Sequence, residues 1–136
     1  MVCYLEKNPG KPSVDRWLKE AKEDPSAAEC GMYLIHNGTV RQTARARVRQ
    51  GAENTEAVTG MVFRYDAEKV EQAILKAKEM TGVFFIRVWL NEGLLALGDD
   101  IMLVLIGGDI RPHVIDALQS LVGMIKNDCV VEEELF

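Results

Sequence analysis

The chain has 136 residues, of which 48% are hydrophobic and 27% charged, with a formal net charge of −5. That length allows one domain with its own core and excludes two ordinary ones, and the composition excludes a disordered or collagen-like chain. The negative balance argues against nonspecific binding to nucleic acid or an anionic membrane; no run nears the roughly 18 apolar residues that span a bilayer, and the opening MVCYLEKNPGKP lacks a secretory signal's apolar stretch, so a cytoplasmic setting is expected.

Residues 1–12 read as an N-terminal loop closed by Pro9, Gly10 and Pro12. Ser13 is placed to cap a helix through about Lys22, with Trp17, Leu18 and Ala21 on one face, and Pro25 ends it. A strand is expected over 31–36, then a turn at Asn37-Gly38, with Arg41 just beyond. Residues 42–58 read as a mobile loop or an edge ribbon in which Arg45, Arg47 and Arg49 alternate as on one face of a strand. A solvated face is the plainer account of that series and a phosphate clamp the sharper one.

A second strand over 60–65 gives way at Asp66 to a helix in which Val70, Ala73, Ile74 and Ala77 repeat at three and four, with Gly82 suited to its C-terminal cap. Residues 83–90, rich in β-branched and aromatic side chains, predict a central strand between turns at Asn91-Glu92-Gly93 and Gly98-Asp99-Asp100. The apolar run Ile101–Ile106 predicts another strand, broken by Gly107-Gly108-Asp109. Pro112 then opens a helix carrying Ile115, Leu118, Val122 and Ile125. Lys126 follows its last apolar position, where the helix dipole favours a cation, and a short strand over 129–131 closes the series. Without a regular βαβ alternation, this order predicts an α+β fold with a mixed or antiparallel sheet and helices packed on it.

Familiar nucleotide and metal signatures are missing. There is no P-loop, no dinucleotide-binding glycine fingerprint and no HExxH; His36 and His113 have no ligand spacing, and Cys3, Cys30 and Cys129 contain no CxxC pair. Neither a metal nor a resident cofactor is expected, and Asp99-Asp100 reads as a solvated turn.

Two spans carry a resemblance. Gly38-Thr39-Val40-Arg41 follows an apolar strand, and from Phe63 to Lys126 an ordered set appears: Tyr65, Glu68 and Lys69 around a helix start, a strand, the turn residues Gly93, Leu95, Gly98 and Asp99, an apolar strand, and a helix ending at lysine. Together they resemble the large, catalytic subunit of molybdopterin synthase over most of the chain. The resemblance implies an α/β hammerhead-type α+β fold and a homodimer at the centre of a heterotetramer. It also implies a ubiquitin-like sulfur-carrier small subunit, whose C-terminal Gly-Gly thiocarboxylate delivers sulfur to a cyclic pyranopterin monophosphate. By position, Lys126 matches the family's catalytic lysine, Arg41 the arginine of its Gly-x-Val-Arg turn, and Arg111 an arginine upstream of the lysine. Guanidinium forks and an ammonium group suit a phosphate, a thiocarboxylate and the charge that develops between them.

The chain departs from the family at several positions. A second family lysine falls on Glu133, a histidine on Ile110, and a His-Arg pair on Leu90-Asn91. A carboxylate about 6 Å from a bound phosphate would repel it by roughly 2 to 3 kcal/mol. His113, one helical turn from Ile110, and Arg45 in the 42–58 loop are the candidates to supply what is missing. Three readings follow: a sulfurtransferase with Lys126 as catalytic group and Arg41, Arg111, His113 and Arg45 binding substrate; a noncatalytic relative that docks the carrier; or an unrelated α+β ligand-binding domain.

Overall fold

The computed structural model describes residues 3–7, 9–44 and 56–136. Among the described residues seven strands form two sheets: β1 (Cys3–Glu6), β2 (Met32–Thr39), β3 (Gly60–Tyr65), β4 (Val83–Leu90), β5 (Gly93–Ala96), β6 (Asp100–Gly108) and β7 (Val130–Leu135). The first sheet has the order β1-β4-β6-β2 and the second β5-β3-β7. Only β1 against β4 is parallel, so the first sheet is mixed and the second antiparallel. Three α-helices, α1 (Val14–Glu23), α2 (Ala67–Lys78) and α3 (Arg111–Met124), pack on this frame, with a 3-10 segment at Pro25–Glu29 and a π-helical turn at Ile125–Cys129. None of the described helices is long and apolar enough to cross a membrane.

Side-chain alternation in β4 and β6 sets the layers. Ile86, Val88 and Leu90 with Met102, Val104 and Ile106 face the larger core under α2 and α3, while Phe85, Trp89, Leu103 and Leu105 face Trp17 and Ala21 of α1. Both faces of the sheet are therefore covered, which is why these strands read as continuous apolar runs. Helix caps follow the sequence: Ser13 Oγ accepts from Arg16 N at 3.2 Å and Asp66 Oδ1 from Lys69 N at 3.2 Å. Gly82, at φ +78°, turns the chain out of α2 where a β-carbon would overlap Asp109 and His113.

Several expectations are corrected. The N-terminal segment is not all loop, because Cys3–Glu6 pairs with β4 across a long stretch of sequence that no local pattern reveals. Asn37-Gly38 does not turn: β2 runs on to Thr39 with a bulge after Gly38, and Asn37 Nδ2 donates across to Asp100 Oδ1 at 2.9 Å and Met102 O at 3.1 Å. Gly107 and Gly108 remain in β6, glycine because Tyr33 packs against the first and the Gly82 carbonyl against the second. Helix α3 buries Val114, Ala117 and Leu121 and leads into the buried Ile125 of the π turn; of the expected stripe Ile125 is buried, Leu118 and Val122 are partly buried against the core, and Ile115 is 37% exposed. Strand β5 was hidden between two expected turns, and β7 continues to Leu135. The expected mobile loop over 42–58, with Arg45, Arg47 and Arg49, lies mainly outside the described residues.

A polar seam joins α1 to the sheet. Arg87 of β4 is buried, its Nη1 2.6 Å from Glu20 Oε1 and its guanidinium carbon 4.6 Å from the Tyr4 ring centroid. Arg16 bridges Glu20 to the buried Glu6, which also accepts from Trp17 Nε1 at 3.3 Å. Removing only the acid strands a desolvated cation. Glu20→Ala is expected to lower stability by about 1 to 3 kcal/mol in urea unfolding, and Arg87→Met added to it to restore part of that loss. A double variant less stable than the single one would contradict this account.

Candidate functional site

A cleft of about 230 Å³ opens where the two sheets meet. It is lined by His36, Gly38 and Thr39 of β2, Arg41 beyond it, Ile101 and Met102 of β6, Met61 of β3, Lys126, and Glu132 and Glu134 of β7. β2 delivers its residues by period two, so His36 and Gly38 share a face. The bulge at Gly38/Thr39 then releases the strand, and Arg41 Nε is fixed by donating to Thr43 O at 3.0 Å.

Lys126 owes its place to the π-helical turn. Ile125 and Cys129 are both buried, and the cysteine Sγ donates to Met124 O at 3.5 Å, so the wide turn is pinned at each end while Lys126, Asn127 and Asp128 stay exposed. Single π-turns inserted in helices recur at functional sites. A cation at the C-terminal end of α3 also complements the helix dipole.

Of the residues singled out in the sequence, Arg41 and Lys126 come together and two others do not. Arg111 begins α3 whereas Lys126 follows its end, an axial separation of about 22 Å at 1.5 Å per residue. His113 is held by Asp109, Nδ1 to Oδ1 at 2.7 Å, and that carboxylate also accepts from Ile110 N at 2.6 Å. The His113 hydrogen bond is the main reason the Asp109 carboxyl sits below its ordinary range. His113 thus clasps the α2–β4 junction and does not supply an imidazole to this cleft. Arg45 lies outside the described residues.

Strand parity divides the acids of β7. Glu133 is exposed and is not among the lining residues, whereas Glu132 and Glu134, one position to either side, line the cleft. Sequence matching found the altered position but not the strand parity that turns it away. Nor did it single out His36, whose Nε2 is buried without a hydrogen-bond partner. Burial first, and the nearby Lys126 charge second, hold its ring below the ordinary histidine pKa and therefore neutral at physiological pH. The available signal was its period-two spacing to Gly38. Among the described residues no group of three or more His, Cys, Asp or Glu is placed to hold a metal ion.

Two sheets carrying three helices, with a mixed-charge cleft at their junction, define an α+β protein of the hammerhead type. The sequence profile described as MoaE protein matches residues 11–128, and the chain belongs to that family, the family of the molybdopterin synthase large subunit. Solved structures share the fold at low identity. A molybdopterin biosynthesis MoaE protein from Burkholderia ambifaria is 13% identical with a TM-score of 0.74, covering 98% of this chain and 84% of that one. A molybdopterin synthase from Staphylococcus aureus is 12% identical with a TM-score of 0.66, covering 100% and 92%. A complex of subunits 1 and 2 of the molybdopterin-converting factor from Helicobacter pylori is 18% identical with a TM-score of 0.65, covering 100% and 86%. No curated protein matches the chain significantly.

The half-buried imidazole of His36 gives a pH signature. Because the folded pKa of His36 lies below the ordinary 6.5, the unfolded chain takes up the proton first as pH falls. Its contribution to stability is thus complete above about pH 6.5 and is lost as pH drops towards the folded value. His36→Phe should flatten this limb and gain roughly 1 kcal/mol near neutrality by removing an unsatisfied nitrogen. Urea titrations at pH 7.5 and 5.5 check it, and an unchanged acid limb in the variant would refute the assignment.

Proposed function

We propose that this chain is a molybdopterin synthase-type sulfurtransferase, moving sulfur from the C-terminal thiocarboxylate of a ubiquitin-like carrier subunit to a cyclic pyranopterin monophosphate. Family membership supports a role in molybdopterin biosynthesis. The observation that carries the finer reading is that Arg41 and Lys126, distant in sequence, line one open cleft. Arg41 is suited to hold a phosphate or the thiocarboxylate in a fixed orientation. The Lys126 ammonium would neutralise charge developing on the tetrahedral intermediate and hand a proton to the atom leaving it. Arg111, at the other end of α3, would reach such a cleft only from a second copy, in keeping with a homodimer at the centre of a heterotetramer.

Glu132 and Glu134 favour a second reading, a relative that docks the carrier without converting the pterin, because two carboxylates share the cleft lining with the two cations. Purified protein supplied with thiocarboxylated carrier and pterin precursor separates the two: complex without dithiolene product would favour the docking module. For the transferase, Lys126→Ala should cut product formation by at least about 100-fold, the order seen when a charge-stabilising donor is lost, while carrier binding stays intact. Unchanged turnover would remove Lys126 from the mechanism.

A further inference from the structure

Among the described residues, Arg41 and Lys126 share the lining of the cleft with Glu132 and Glu134. A site that is to hold an oxyanion gains from a net positive charge, and His36 is the one described lining group whose charge can change near neutral pH. We propose that His36 is a further anion-contacting residue of this cleft, gripping an oxyanion seated beside Lys126 and taking up one proton from solvent as the anion arrives. This rests on the reading of the cleft as an anion site and adds to it a ring nitrogen that the fold leaves unbonded.

Two features of the geometry point the same way. The buried His36 Nε2 has no hydrogen-bond partner, so the fold leaves its bonding capacity unused. On the same strand face, Gly38 carries no side chain, and a β-carbon there would sit 3.7 Å from Met102 Cγ and 3.8 Å from His36 Nε2. A methyl-sized space therefore adjoins the unused nitrogen. Among the described residues, the charged groups that line the cleft with the ring are Lys126 from the π turn, whose charge acts on it, Arg41 from beyond β2, and Glu132 and Glu134 from β7, while β3 and β6 contribute Met61, Ile101 and Met102.

The direction of the effect follows from what keeps the ring neutral. Burial and the Lys126 charge disfavour the imidazolium in the empty cleft. An anion placed between the two groups screens the lysine and attracts the ring proton, so the imidazolium becomes favourable in the complex. Binding then strengthens as pH falls through the raised value of the complex, and levels off below the lowered value of the empty cleft.

Sulfate, whose charge is constant over this range, and a peptide ending in a Gly-Gly carboxylate are the probes, titrated calorimetrically at pH 7.5, 6.5 and 5.5 in two buffers of different ionisation enthalpy. For the wild-type chain, affinity for at least one probe should rise on acidification, approaching about tenfold per pH unit at the limit of one linked proton. The probe that shows the linkage tells whether the cleft prefers a tetrahedral oxyanion or a peptide carboxylate. His36→Gln, which keeps a hydrogen-bonding side chain but does not titrate, should abolish both the proton uptake and the pH dependence. Gly38→Ala, which meets only ordinary contacts, should keep the fold by circular dichroism and weaken binding several-fold by filling the space beside Nε2. In Lys126→Met, the His36 imidazole should titrate at higher pH by NMR.

Proton uptake that persists in His36→Gln, uptake that is absent from the wild type, or no binding of either probe at any pH would each overturn the proposal. Linked uptake at His36 alongside unchanged sulfur transfer in Lys126→Ala would leave the proposal standing and remove the catalytic role of Lys126. Sulfur transfer abolished by Lys126→Ala, with no linked uptake, would do the reverse.

Discussion

Strand β6 is hydrogen-bonded along both edges and covered on both faces, and the other elements take their places from it. Its residues from Ile101 to Gly108 are buried, so it has no solvent-facing side that could tolerate a shifted register. Pairing with β4 on one edge fixes the seam to α1, and pairing with β2 on the other carries His36 and Gly38 to the junction with the second sheet. The cleft thus takes one wall from the strands bonded to β6 and the other from β3 and β7.

Much of this frame was legible because it rests on local signals. Ser13 and Asp66 announce helix starts through side-chain caps, and Val70, Ala73, Ile74 and Ala77 announce a face through their spacing. What escaped reading depends on partners distant in sequence. Cys3–Glu6 is too short to declare itself without β4, and Asn37-Gly38 carries a strong turn signal that cross-strand bonds from Asn37 override. In α3 two apolar stripes one residue apart compete, and the one through Val114, Ala117 and Leu121 is buried while Leu118 and Val122 are only partly so.

The site was legible in part. Arg41 and Lys126 were identified through motif positions that the fold does join, while Arg111 and His113 were identified through positions that it holds apart from this cleft. Spacing along a chain measures distance along a helix well and convergence between helices poorly. Glu132, Glu134 and His36 were missed for the same reason: their relevance lies in which way a strand faces once its neighbours are known.

The π-helical turn between α3 and β7 has a consequence for the acids downstream. A helix that bonds five residues back in place of four has admitted one residue beyond the regular pitch. Deleting a residue between Ile125 and Cys129 while α3 stays packed would return the turn to ordinary pitch and draw β7 along β3 by one position, which turns each of its side chains to the other face. Glu133 would then look inward and its two neighbours outward. The length of this short hinge is thus a gauge that sets the polarity of the cleft wall, independently of the letters written in β7, and comparing relatives column by column without measuring it would misassign which carboxylates matter.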